Sequence, residues 1–232
     1  MHDFEIQYLT LFQKFCLNYC FRIKPMASPL PTVPIGIKIT NSLAPAVVVE
    51  LFQDVCCPYS KKMFDTVFQS LIPILEKEAL IGNVQFLWQS VPQPWHAQSC
   101  CMHDAVMAAS ILDVEKTANY ILNIFDKQTD FFDDRAKNLS RIQIYEKLTV
   151  IGGESGYDIS SLSALLSLKG VKGNDGLGNV TQYLKWAVKY HRMRGVHVTP
   201  TVFINGIEAP DVSSGWSYKE WLEKLRPMLT EG

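Results

Sequence analysis

Two pairs of adjacent cysteines, Cys56-Cys57 and Cys100-Cys101, hold most of the reactive chemistry in this chain. Cys57 is followed by Pro58-Tyr59-Ser60, where an apolar β-branched run gives way to helical periodicity. That spacing puts Cys57 at or next to a helix N-cap. The free N–H groups of the first turn and the positive end of the helix dipole favour a thiolate over a thiol there. A thiolate is the attacking species in disulfide exchange, so the chemistry to expect is attack on a sulfur–sulfur bond. Ser60 falls one turn into the helix, where its hydroxyl can donate a hydrogen bond to the sulfur. The plainer alternative is that Cys57 is a small buried residue in a turn.

His96, in Pro94-Trp95-His96, is a second candidate. It leaves a strand at the end of the sheet where α/β folds place ligands. There it would polarise Cys57 or bind an anionic group; the alternative is a satisfied ring at a helix N-terminus. Cys56 reads as a small hydrophobe, because a disulfide to its neighbour needs a distorted peptide. Cys100 and Cys101 open the next helix, as resolving thiols for Cys57 or as core thiols. His103, His191 and His197 have no partner that spacing assigns. No Cys-x-x-Cys occurs, no histidine falls at ligand spacing from a cysteine pair, and no metal is expected.

The elements that must position these residues follow from composition and period. Of 232 residues, 47% are hydrophobic and 19% charged, enough for a substantial core and too apolar for global disorder. Basic and acidic residues nearly balance, 22 against 23, so there is no overall electrostatic basis for nucleic-acid or anionic-membrane partners. No apolar run approaches the roughly 20 residues of a transmembrane helix. Six cysteines are too few to build a disulfide scaffold of this length.

Strands are expected at 35–40, 46–52 and 84–91, with a helix over 58–80 opened by Pro58 and kinked by Pro73. Helices follow at about 97–112, 114–128, 140–151 and 159–169, the third broken by Gly152-Gly153 and the fourth capped by Asp158 or Ser160. Another runs from 180 to 194 and ends at Gly195. Asn205-Gly206 joins strands at 201–204 and 206–208 in a tight hairpin. Ser217-x-x-Glu220 opens a last helix with Trp221, Leu222, Leu225 and Leu229 as its buried stripe. Residues 1–34 read as an N-terminal extension, poorly ordered or helical, ending in a proline-punctuated linker; Met26-Ala-Ser is a second plausible start.

Two motifs resemble a known family. Glu50-Leu-Phe-Gln-Asp-Val-Cys-Cys-Pro-Tyr-Ser-Lys-Lys-Met-Phe64 is similar to the active-site strand and helix start of DsbA-like thioredoxin-fold proteins. Gly195-Val-His-Val-Thr-Pro-Thr-Val-Phe-Ile-Asn-Gly206 is similar to that family's cis-proline loop and following hairpin. The resemblance covers roughly 35–230. It implies an α/β, thioredoxin-like domain with a helical insertion, at about 96–170, between a βαβ half and a C-terminal ββα half. It makes Cys57 the attacking cysteine, Pro58 and Tyr59 the intervening residues, Pro200 the cis-proline, and Thr199 the residue whose backbone pairs with an extended substrate.

Ser60 departs from the family's Cys-x-x-Cys, and serine cannot close a disulfide. The resemblance therefore implies a monothiol, glutathione-linked thiol–disulfide oxidoreductase. Its substrate would be a thiol or disulfide, in a peptide or in glutathione, with glutathione as co-substrate and no tightly bound cofactor. A second reading rests on kappa-class glutathione transferases and related isomerases, which carry Ser-Pro-Tyr-Ser-like sequences after a similar strand; Cys57 or Ser60 would then orient glutathione. A third is a non-catalytic binding module. The cytoplasm is the favoured location, with a secretory route open through the N-terminal extension.

Overall fold

The structure, a computed structural model, describes residues 30–230. The chain divides into two units, Met1–Pro34 and Ile35–Gly232. Of the first, residues 30–34 are described and form no regular element. The expected extension, with Cys16 and Cys20, otherwise lies outside the described residues.

The second unit is built on a five-stranded sheet of order β1-β3-β2-β4-β5. The strands are β1 (Ile37–Lys38), β2 (Val47–Gln53), β3 (Val84–Ser90), β4 (Thr201–Ile204) and β5 (Ile207–Glu208). The continuous run of Val47, Val48, Val49, Leu51 and Phe52 suits a strand covered on both faces, and β2 takes the central place. It pairs parallel with β3, from Val47↔Val84 to Gln53↔Ser90, and antiparallel with β4. Strand β1 is shorter than the 35–40 expected from alternation, with two residues antiparallel to β3. Asn205 and Gly206 both take positive φ, 46° and 83°, as a two-residue hairpin of this type requires.

Alternation along β2 splits its side chains between two cores. Val47, Val49 and Leu51 pack with the terminal helix residues Trp221, Leu225 and Leu229. Phe52 packs on the other face with Val91, Val196 and Phe203. Glu50 is buried on that second face and is satisfied by Tyr190 Oη at 2.7 Å, Gln89 Nε2 at 3.0 Å and Arg194 Nη2 at 3.4 Å. A buried carboxylate persists only with such partners.

The helix expected over 58–80 forms in three parts: α1 (Pro58–Asp65), a π-helical segment (Thr66–Leu71) and α2 (Ile72–Lys77). Ile72 N–H donates to Val67 O, an i→i−5 bond, so the helix widens just before Pro73, which lacks an N–H to continue the ladder. The insertion contains α3 (Ser99–Leu112), α4 (Thr117–Asp126), α5 (Asp133–Ala136), α6 (Arg141–Glu154) and α7 (Ile159–Leu165). Asp158 caps α7 through the Ser161 amide. Helix α8 (Asn179–Met193) returns the chain to the sheet, and α9 (Tyr218–Thr230) closes it. No described helix is long and apolar enough to cross a membrane.

One expectation fails. Gly152-Gly153 does not break a helix; α6 runs through both residues. A Cβ at 152 would collide with Leu162 Cδ2, and one at 153 would fall 2.8 Å from Ile159 Cδ1 and Cγ1. The glycines let α6 and α7 approach closely. Leu162 is fully buried and cannot swing away, whereas Ile159 is half exposed and can. Gly152→Ala is therefore expected to destabilise the domain by about 1–2 kcal/mol, after overpacking is offset by the gain in helix propensity. Gly153→Ala should be neutral or slightly stabilising. Thermal unfolding of the two variants checks the order; equal shifts would contradict it.

Candidate active site

Strand β2 ends at Gln53, and four residues later Cys57 takes extended backbone angles (φ −84°, ψ 123°) as the N-cap of α1. Pro58 occupies the first helical position, where no N–H is needed. The turn is held from several directions. Cys57 N–H donates to Asp54 O at 3.0 Å, and Lys61 N–H donates to Cys57 O at 3.1 Å. Gln128 Nε2, from the insertion, donates to Val55 O and Cys57 O. Gln53 Nε2 reaches the Ser60 carbonyl at 3.2 Å.

Across from this turn, the segment between α8 and β4 carries a cis Thr199–Pro200 peptide. Cys57 Sγ donates to Thr199 O at 3.4 Å, bringing together residues 142 apart in sequence. This bond belongs to the protonated thiol. The Tyr59 and Ser60 amides, at the second and third helical positions, are those an N-cap side chain can bond; Cys57 Sγ does not bond them as it stands. Cys57 is 5% exposed. Pro58 and Tyr59 beside it are exposed, Tyr59 by 64%, and Thr199 and Pro200 are half-buried. Trp95 and Val198 add further exposed apolar surface, 59% and 60%.

Ser60 is fully buried and its Oγ accepts the Asp54 amide at 3.2 Å. Among the described residues it makes no hydrogen bond to Cys57. The hydroxyl expected to face the sulfur instead ties the first turn of α1 back to the end of β2.

The residue that spacing did not single out is Asp54. Its buried carboxylate accepts from Cys56 N at 2.9 Å, Ser99 Oγ at 2.7 Å and His103 Nε2 at 3.1 Å through Oδ1. Through Oδ2 it accepts from Gln93 N at 3.1 Å and His96 Nδ1 at 2.7 Å. Burial by itself would push the Asp54 pKa up; the His103 hydrogen bond and charge, then His96 and the Cys56 amide, outweigh it and hold the pKa at about 2. His103 is also buried, and its Nδ1 lies 2.5 Å from Ser90 Oγ.

His96 is not the cap of α3, but its ring is satisfied just before that helix, and among the described residues it makes no hydrogen bond to Cys57. It precedes α3 and bonds Asp54 on one side. Its ring also lines a cavity of about 210 Å³ with Cys56, Pro58, Gln98, Phe132 and Asp133. His191 Nδ1 meets Ser90 O at 3.3 Å, and Gln93 Nε2 donates to His197 O at 3.4 Å. Ser99 and His103, four apart on α3, were the available signal, a polar pair on one helical face; their partner Asp54 lies far away in sequence.

Cys56, Cys57, Cys100 and Cys101 are free thiols. Burial, then the negative charges of Asp54 and Asp133 and the neighbouring Cys57, push the Cys56 thiol up to about 12. Cys100 and Cys101 are also raised, by burial first. A pKa of about 12 leaves Cys56 a thiolate fraction of about 10⁻⁵ at pH 7. Brief alkylation of the native protein at pH 7 is expected to leave Cys56 unmodified, and peptide mass mapping reads it. Alkylation of Cys56 as fast as of a free thiol would contradict this.

The cis-proline loop, the βαβ crossover and the helical insertion define the class: a thioredoxin fold of the DsbA-like type. Residues 34–224 match the protein family described as Thioredoxin, and the chain belongs to that family. No curated protein matches. Among solved structures, a candidate protein-disulfide isomerase from Pseudomonas syringae is similar at 21% identity and a TM-score of 0.66, covering 82% of this chain and 97% of its own. BdbD from Bacillus subtilis, oxidised, is similar at 18% identity and 0.63, covering 89% and 98%. A periplasmic thioredoxin-like protein from Salmonella enterica serovar Typhimurium is similar at 15% and 0.56, covering 85% and 92%. These likenesses establish the fold.

Proposed function

We propose that this chain is a thiol–disulfide oxidoreductase that works with one thiol, Cys57, and uses glutathione to complete its cycle. One observation carries the reading. Cys57 caps α1 and faces the Thr199 carbonyl beside cis-Pro200, with Ser60 where a second thiol would stand. In the first step the Cys57 thiolate attacks one sulfur of a glutathione mixed disulfide. A Cys57–glutathione disulfide forms, the old S–S bond breaks, and the substrate leaves as a thiolate that takes up a proton. In the second step a glutathione thiolate attacks the glutathione sulfur of that disulfide; oxidised glutathione leaves and the Cys57 thiolate returns. Ser60 cannot intervene between the steps, because an oxygen cannot close the ring.

Thr199 O is held by the Cys57 thiol at rest and becomes free to accept a substrate amide once the proton is lost. Exposed Tyr59, Trp95 and Val198 give an incoming polypeptide apolar surface to lie on. The cytoplasmic preference read from the sequence gains nothing from the similar structures, one of which is periplasmic; a secretory route is the location compatible with that likeness.

Intact mass after incubation with oxidised glutathione tests the reading. One glutathione adduct on Cys57 is expected, and it should persist until reduced glutathione is added. In Ser60→Cys the adduct should be lost in favour of an internal Cys57 disulfide two hydrogens lighter than the reduced protein. No adduct on Cys57, or one on Cys100 or Cys101 alone, would overturn the proposal.

A further inference from the structure

Between Asp175 and Glu208 the chain carries no acidic residue, although its net charge is −1. Helix α8 runs through this stretch. Its Lys185, Lys189 and Arg192 are four and three residues apart, so they share one face, and all three are exposed. Leu184, Val188 and Met193 lie among them and line the same groove. The inner face of α8, with Val180, Ala187 and His191, is buried, and the helix packs on α3 and β3.

No charge in the described fold answers these cations. Among the described residues, none of the three has an ion pair or a hydrogen bond. Arg194, by contrast, is held by Glu50 and the Gly206 carbonyl. On α3 the charged side chains are His103 and Asp104, both buried, and Asp104 is taken by Arg141 and Tyr145. Strand β3 carries no charge. The loop before α8 holds Asp175, with Lys169 and Lys172 on the same segment. A row of like charges with apolar side chains between them complements an acidic partner that also carries apolar residues. A bilayer is the poorer fit, because α8 has spent its apolar face on the core and cannot sink it into lipid as an interfacial helix does. The face leads instead toward the site: α8 ends at Met193, and Val198, Thr199 and Pro200 follow. Arg192 lies at most about 25 Å from Thr199, the extended length of the chain between them, and Lys185 is about 10 Å further along the helix.

We infer that the Lys185–Lys189–Arg192 face of α8 is a docking surface for polypeptide substrates, and that it selects those with an acidic segment within about ten residues of the reacting cysteine. This rests on the reading of Cys57 as the reacting thiol. The probes are glutathionylated synthetic peptides with one central cysteine and a tail of four Glu, four Gln or four Lys. Fluorescence anisotropy with the full-length Cys57→Ala variant reads binding without chemistry. At low ionic strength the Glu-tailed peptide is expected to bind about ten-fold more tightly than the Gln-tailed one, and about 0.5 M salt should erase the difference. Changing all three cations to Gln should abolish the preference, and changing all three to Glu should transfer it to the Lys-tailed peptide. The three side chains are exposed, so circular dichroism should show both triple variants folded. With Cys57 in place, the acidic tail should lower KM by the same factor and leave kcat unchanged. Equal affinity for the Glu and Gln tails, or a preference that survives both triple variants, overturns the inference. So does charge-dependent binding to anionic phospholipid vesicles with none to the Glu-tailed peptide. Turnover with no tail preference overturns the docking surface alone. Tail-dependent binding with no turnover supports the docking surface and overturns the Cys57 reading.

Discussion

Cys57→Ala is expected to lower the rate of exchange with a glutathione mixed disulfide by on the order of 10³-fold or more, to the rate of the uncatalysed reaction. The sulfur itself forms the bond, so no neighbour can substitute for it. Cys56→Ala should stay close to the wild-type rate, although the two residues are adjacent. Cys56 sits in the insertion core with its thiol held at about 12, while Cys57 bonds the Thr199 carbonyl beside Pro200. The strand-to-helix turn separates their directions, one inward and one toward the cis-proline. Stopped-flow or coupled turnover with a glutathionylated peptide reads both variants. Full activity in Cys57→Ala would move the chemistry to another residue. Equal losses in the two variants would mean that the effect is structural.

What could be read from the sequence were features encoded within a few residues. The β-branched run of β2, the Asn205-Gly206 hairpin and Pro58 at the start of α1 each carry their own conformational reason, and each appears in the structure. The two sides of the Cys57–Thr199 contact were also legible, because Cys57 and Thr199-Pro200 each lie in a recognisable local motif. Contacts between distant segments were not. Gly152-Gly153 looked like a helix break because propensity is local, while the reason for these glycines is the approach of Leu162 and Ile159 from α7. Ser60 looked free to reach the sulfur because a helical turn puts it near, yet the Asp54 amide claims its oxygen. Glu50, a charge in an apolar strand, finds Tyr190 and Arg194 from a helix about 140 residues later. In each case tertiary packing decided what the local pattern left open.

Asp54 is where that tertiary content concentrates, and its replacement should have the largest effect on stability. Asp54→Asn keeps the shape and removes the charge. One amide oxygen can still accept, but the NH₂ must face donors: either Gln93 N–H and His96, or the Cys56 amide, Ser99 and His103. Breaking a buried charge network by removing one partner costs about 3–5 kcal/mol. For a domain of this size that lowers the melting temperature by on the order of 10 °C.

The pH dependence separates this account from simple loss of packing. The Asp54 pKa is lowered from 3.8 to about 2 in the folded protein, because the native state binds the ionised form more tightly than the unfolded chain does. Such a group stabilises above its unfolded pKa, and the contribution is lost as pH falls through the folded value. Between pH 4 and pH 2 the wild type should therefore lose about 2 kcal/mol through Asp54 alone. Asp54→Asn has no proton to take up at that position, so its stability should fall less steeply over that window. Urea unfolding at a series of pH values reads the difference. Parallel acid slopes in the two proteins would show that the folded state does not favour the ionised carboxylate. The turn that presents Cys57 would then be held by backbone geometry and by the Gln128, Gln53 and Ser60 hydrogen bonds.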